Sequence, residues 1–105
     1  MGYSTAYRLS IIGVDQHDTL RDIILSDEIN FYALKEDGSP ADMYTWYDHE
    51  ETMRYTSKRH PDLIFKLEGE GEGAGDIWIK YFKDGKMQEC RAKITFDEYD
   101  EARLV

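Results

Sequence analysis

A chain of 105 residues has room for one hydrophobic core and no second domain of ordinary size, so a single domain over residues 1–105 is expected. Its 13% aromatic content argues against disorder, and no apolar run approaches the roughly 20 residues that cross a bilayer. Asp and Glu number 22 against 13 Lys and Arg, a formal charge of -9, which disfavours direct binding to nucleic-acid phosphates or to anionic membranes.

In chain order, Ala6 to Val14 opens with Tyr7, Leu9 and Ile11 at period two and Arg8 and Ser10 opposite, the pattern of a half-buried strand. Asp18 to Ser26 carries Leu20, Ile23 and Ile24 at helical spacing. Asp18 or Thr19 stands where a cap belongs and Asp22 favours the positive helix start, so a short amphipathic helix is predicted. Phe31–Leu34 and Met43–Tyr47 are rich in strand formers around a Gly38 and Pro40 turn, and read as two strand pieces. Asp48 with Glu51 approaches a capping box, which predicts a second helix from about His49 to Arg59, ending before Pro61. Leu63, Phe65 and Leu67 alternate as a further strand. Asp76–Phe82 and Met87–Phe96 flank Asp84-Gly85, a hairpin signal.

The predicted order is therefore strand, helix, strand, strand, helix, strand, strand. That is the order of an α+β, ferredoxin-like split βαβ fold. Its antiparallel sheet has two helices on one face, a long C-terminal hairpin, and the other face open to solvent or a partner.

The runs Trp46-Tyr-Asp-His-Glu-Glu-Thr-Met53, Ser57-Lys-Arg-His-Pro-Asp-Leu-Ile-Phe65, Glu68-Gly-Glu-Gly-Glu72 and Gly75-Asp-Ile-Trp78 resemble small ferredoxin-like proteins of bacteriophages and other mobile elements. The likeness spans about half of the chain and carries no catalytic motif. It implies the fold, a phage-type origin and a place in the cytoplasm of a bacterial host. Some small acidic phage proteins inhibit host defence, anti-CRISPR proteins among them. The start of the chain, MGYSTAYRLS, lacks the charged and apolar regions of a signal peptide. The single cysteine, Cys90, offers no intramolecular disulfide, which fits a reducing compartment.

Motifs for chemistry are weak. Gly69, Gly71 and Ala74 satisfy G-x-G-x-x-A, but a strand follows instead of a helix and three glutamates repel phosphate, so Gly69–Gly75 reads as a flexible connection. His49 and His60 fall on one helical side, yet about 1.5 Å of rise per residue separates them too far to share an ion. His49 with Glu50 and Glu51 reads as solvent-facing capping chemistry. No metal, no cofactor and no catalytic residue are assigned.

The charge is uneven: between Gly13 and Glu51 eleven acids face two bases. This supports a non-enzymatic, acidic partner-binding protein. Asp15, Asp18, Asp22, Asp27 and Glu28 would present carboxylates at phosphate-like spacing, with Tyr44, Trp46 and Trp78 as aromatic anchors. The expected partner is a host protein with a basic, nucleic-acid-binding surface, occluded without direct contact to nucleic acid or membrane. The alternative is a small structural or regulatory phage protein acting by self-association as a homodimer. An unrecognised enzyme ranks third.

Overall fold

The structure is a computed structural model, and it describes residues 3–13 and 17–105. Strand β1 (Thr5–Ile11) is followed by helices α1 (His17–Ser26) and α2 (His49–Arg59), then by strands β2 (Phe65–Gly71), β3 (Ile77–Lys83) and β4 (Lys86–Arg91). A one-turn 3-10 helix, Glu101–Arg103, lies beyond them. The four strands form one antiparallel sheet in the order β1-β2-β3-β4.

Register decides which side chains share a face. Tyr7 pairs with Gly69 and that with Trp78, Leu9 with Leu67 and Lys80, Ile11 with Phe65 and Phe82. This row meets Leu20, Ile23 and Ile24 of α1 and Met53 of α2 in the buried core, because each helix turns its apolar stripe to the sheet. The alternate row contains Arg8, Lys66, Glu68, Ile79 and Tyr81, exposed or half-buried, and among the described residues the buried side chains of both helices pack on the other row. The helices therefore cover one face only.

The α+β class, the antiparallel sheet, both helices and the closing hairpin match the sequence reading. The split βαβ connectivity does not appear: both helices fall between β1 and β2, and the sheet order is sequential. The reason lies in residues 27–48. Asn30 Oδ1 accepts from the Tyr32 amide at 3.0 Å and Asp37 Oδ1 from the Ser39 amide at 2.9 Å, so local side-chain bonds replace a ladder. Only isolated bridges remain, Leu34 with Pro40 and Thr5 with Tyr44. With no inner strands to cross over, β1 pairs directly with β2. The displaced segment instead closes the outer edge of β1: Thr5 exchanges both backbone bonds with Tyr44 at 3.0 Å, and the Leu9 amide donates to the Gly38 carbonyl at 2.8 Å.

The Asp84-Gly85 turn has positive φ at both positions, 49° and 77°, the twist a two-residue hairpin needs. Strand β4 ends at Arg91 and not at Phe96: its partner β3 begins at Ile77, whose carbonyl accepts from the Ala92 amide at 2.9 Å, so no β3 residue remains to pair with the chain beyond. The glycine-rich stretch also differs from expectation. Gly69 to Gly71 belong to β2, and the true turn is anchored: the Ser4 amide donates to Glu72 Oε2 and the Gly73 amide to Tyr3 Oη, both at 2.6 Å.

Gly69 is required by packing, since a Cβ there would lie 2.2 Å from the Trp78 ring. Gly69→Ala should destabilise the chain by about 1–3 kcal/mol in urea denaturation, the usual range for overpacking. Glu70→Gln, one residue along on the exposed face, should stay within about 0.5 kcal/mol of the parent.

Candidate functional site

Helix α1 buries Leu20, Ile23 and Ile24, which turns Asp18 and Asp22 outward, one helical turn apart. The helix stops at Ser26, and Glu28 follows at φ 52°, a left-handed position that sends the chain sharply into Asn30. Beyond the Asx turn at Asn30, Tyr32 stacks on Tyr44 with centroids 5.6 Å apart and planes within 13°. Glu28, Asn30, Phe31, Tyr32 and Tyr44 line an open concavity of about 410 Å³. Tyr32 is 74% exposed and Phe31 52%, so this aromatic surface is available for contact and borders a carboxylate.

The remaining residues singled out by sequence lie elsewhere. Asp15 is outside the described residues. Asp27 is turned inward, its side chain 3% exposed, where Oδ1 meets Arg59 Nη1 at 3.0 Å and Oδ2 faces His60 Nε2 at 3.4 Å. It ties the end of α1 to the end of α2. Trp46 and Trp78 are core residues, stacked edge-on against Tyr7 at 5.2 and 6.1 Å. Of the predicted set, the structure joins Glu28 and Tyr44 in one hollow and leaves Asp18 and Asp22 on the exposed side of α1. Tyr32 and Phe31 were missed because their residue types signalled a strand. Asn30 was the available signal: an Asn before two aromatics can end a ladder by turning the chain.

A second hollow, of about 280 Å³, opens beside the start of α2. Lys80 stands on the covered face of β3 and is buried, with Nζ donating to His49 Nε2 at 2.8 Å and to Glu50 Oε2 at 2.7 Å. Nζ also lies 4.3 Å from the Trp78 ring centroid. His49 Nδ1 is 2.9 Å from the Trp46 carbonyl. That contact requires the proton on Nδ1 and leaves Nε2 to accept from Lys80. His49 is thus no solvent-facing cap residue, and Asp48 makes no side-chain cap bond. Burial holds the imidazole below its ordinary range, and the Lys80 charge adds to this. Glu50 is held below the usual carboxylate range, chiefly by its bond to Lys80.

At the mouth, Tyr3 Oη donates to Asp76 Oδ2 at 2.7 Å and Arg91 Nη1 donates to Asp76 Oδ1 at 2.9 Å. The Lys80 amine bonds to both His49 and Glu50, which fastens the start of α2 to the sheet. Among the described residues no group of three or more His, Cys, Asp or Glu is placed to hold a metal ion. No helix among them is long and apolar enough to cross a membrane. Comparisons with known protein families, curated proteins and solved structures return no match.

The depressed imidazole makes stability depend on pH. Above about 6.5, the ordinary imidazole value, folded and unfolded chains both hold His49 neutral. As pH falls below it, the unfolded chain takes up a proton that the folded chain refuses, so stability is lost on acidification. Melting temperatures from pH 7.5 to 5.5 should fall more steeply for the parent than for His49→Gln, which keeps an acceptor and cannot titrate. Equal slopes would remove His49 from this role.

Proposed function

We propose that the protein is a non-enzymatic binding module whose acidic α1 face and adjoining tyrosine hollow engage a basic surface of another protein. The observation that carries this reading is the joining of Glu28 with Tyr32 and Tyr44 in one open concavity, beside the outward carboxylates of Asp18 and Asp22. Carboxylates steer and orient a basic partner, and exposed tyrosines supply short-range contact area at low entropic cost. The resemblance to small phage proteins makes a host protein the natural partner. A surface that binds nucleic acid is the kind of basic patch this acidic face fits, and occupying it would exclude the nucleic acid.

The anchoring aromatics in this proposal are Tyr32 and Tyr44, since Trp46 and Trp78 are buried at 4% and 6% exposure. Asp27 is likewise reserved for Arg59. The acidic contribution therefore comes from side chains that make no demand on the fold.

Capture from bacterial lysate on the immobilised chain, read across a salt series, tests the proposal. Asp18→Asn, Asp22→Asn and Glu28→Gln combined should leave the melting temperature within a few degrees and weaken capture about tenfold at low salt. Tyr32→Ala should weaken it at every salt concentration. Capture that survives both changes, or that does not respond to salt, would sink the acidic-face reading.

A further inference from the structure

The segment after β4 does not fold back on the molecule. Ile94, Phe96 and Tyr99 are 60%, 91% and 77% exposed, and the radius of gyration is 16.5 Å against about 13 Å for a compact chain of this length. Lys93-Ile-Thr-Phe-Asp97 alternates like a strand, and Asp97, Glu98, Asp100 and Glu101 make the stretch beyond Phe96 acidic. Exposed aromatic and aliphatic side chains gathered on one projecting segment are the kind of surface that marks an interaction site.

The uncovered sheet face holds a matching receptor. At its Lys83–Lys86 end, Ile12, Ile64 and Tyr81 of this face line an apolar groove of about 420 Å³, which Phe82 and Met87 of the covered row also border. Lys83 and Lys86 rim it; Lys83 donates to the Pro61 carbonyl at 3.0 Å. Among the described residues no carboxylate lies within ion-pair distance of either lysine. The groove thus offers apolar floor and positive rim where the segment offers Phe96 and negative charge.

Position selects a second copy as the source. Strand β4 begins at the groove with Lys86 and ends with Arg91 at the opposite end of the sheet, roughly 17 Å away at about 3.4 Å per residue. The segment leaves from that far end, where Ile94 Cδ1 lies against Gly75. A twofold axis between two facing sheets, running across their strands, sets the Arg91 end of each copy over the Lys83–Lys86 end of the other. Both segments then reach both grooves, an isologous and closed arrangement.

The geometry points to a homodimer in which Phe96 of each chain enters the Ile12–Ile64–Tyr81 groove of a second copy, with Glu98, and Asp97 in exchange for its exposed Arg103 partner, meeting Lys83 and Lys86. This surface lies on the face opposite the helices and goes beyond the acidic-face reading. Its readout is the mass of the isolated chain, which depends on no basic partner.

Sedimentation of the full chain from about 1 µM to about 300 µM at low salt tests it. The parent should dimerise. Phe96→Ser, at a position too exposed to affect folding, should weaken the dimer at least about 30-fold, the scale of a truncated interface anchor. Lys83→Glu with Lys86→Glu should weaken it about tenfold, with less effect at high salt. Mixing that variant with an Asp97→Lys, Glu98→Lys chain should restore a mixed dimer. A monomer throughout, or a dimer indifferent to Phe96→Ser, overturns the proposal. A dimer that needs Phe96 but ignores the lysine reversal overturns the groove as its receptor.

Discussion

A buried ammonium organises this molecule. Lys80 occupies a core-facing position of β3, between Leu67 and Glu89 in the sheet register, where an unpaired charge would cost several kcal/mol. Its partners, His49 and Glu50, are the first two residues of α2. The start of that helix must therefore lie over β3. Helix α2 needs the constraint, because it buries only Met53, Thr56 and Ser57, too little apolar surface to fix its position alone. The far end of α2 is held by charge as well: Arg59 meets the inward Asp27, which fixes where α1 ends. Between the two clamps, Ser57 Oγ accepts from the Gly85 amide at 2.9 Å and Arg54 donates to the Gly85 carbonyl at 3.1 Å, joining helix to hairpin turn.

Once both helix ends are fixed, the chain between them has little freedom. Residues 27–48 must run from the end of α1 to the start of α2, and they do so along the outer edge of β1. This covers one of the two sheet edges, a standing hazard for aggregation, and it forces the sharp reversal at Glu28 that sets Tyr32 against Tyr44. The tyrosine hollow is thus a by-product of edge protection. Its position beside the outward acids of α1 follows from Asp27 being taken by Arg59 while Glu28, the next residue, is turned outward.

Periodicity made much of the fold legible. Tyr7 and Leu9, Leu20 with Ile23 and Ile24, and Phe65 with Leu67 all face the core as their spacing predicts, and α2 spans His49–Arg59. These are local patterns against one uniform face, which is where periodicity is informative. Asp-Gly likewise specified its hairpin through backbone φ alone. The misread segments are those where local chemistry and long-range pairing compete. Phe31–Leu34 and Met43–Tyr47 have strand composition, but Asn30 and Asp37 satisfy the neighbouring amides first. No linear signal pairs Lys80 with His49 across 31 positions, and the same blindness assigned Asp27 to the surface. Side chains of like chemistry at neighbouring positions, Asp27 and Glu28 or Trp46 and Tyr47, take opposite roles because tertiary partners decide burial.

The net charge of -9 conceals an opposition that the fold makes physical. Eleven acids and two bases fall between Gly13 and Glu51, the stretch that supplies α1, the edge-covering segment and the start of α2. The remainder of the chain sums to zero, and its uncovered sheet face carries Arg8, Lys66, Lys83 and Lys86 beside Glu68 and Glu70. On the proposed reading, the helix side would favour basic partners and the groove end of the sheet acidic ones. Two such surfaces would not compete for one occupant. Association through the sheet would leave the helix-side acids free and double their number on one assembly, strengthening by avidity whatever contact a single acidic face makes.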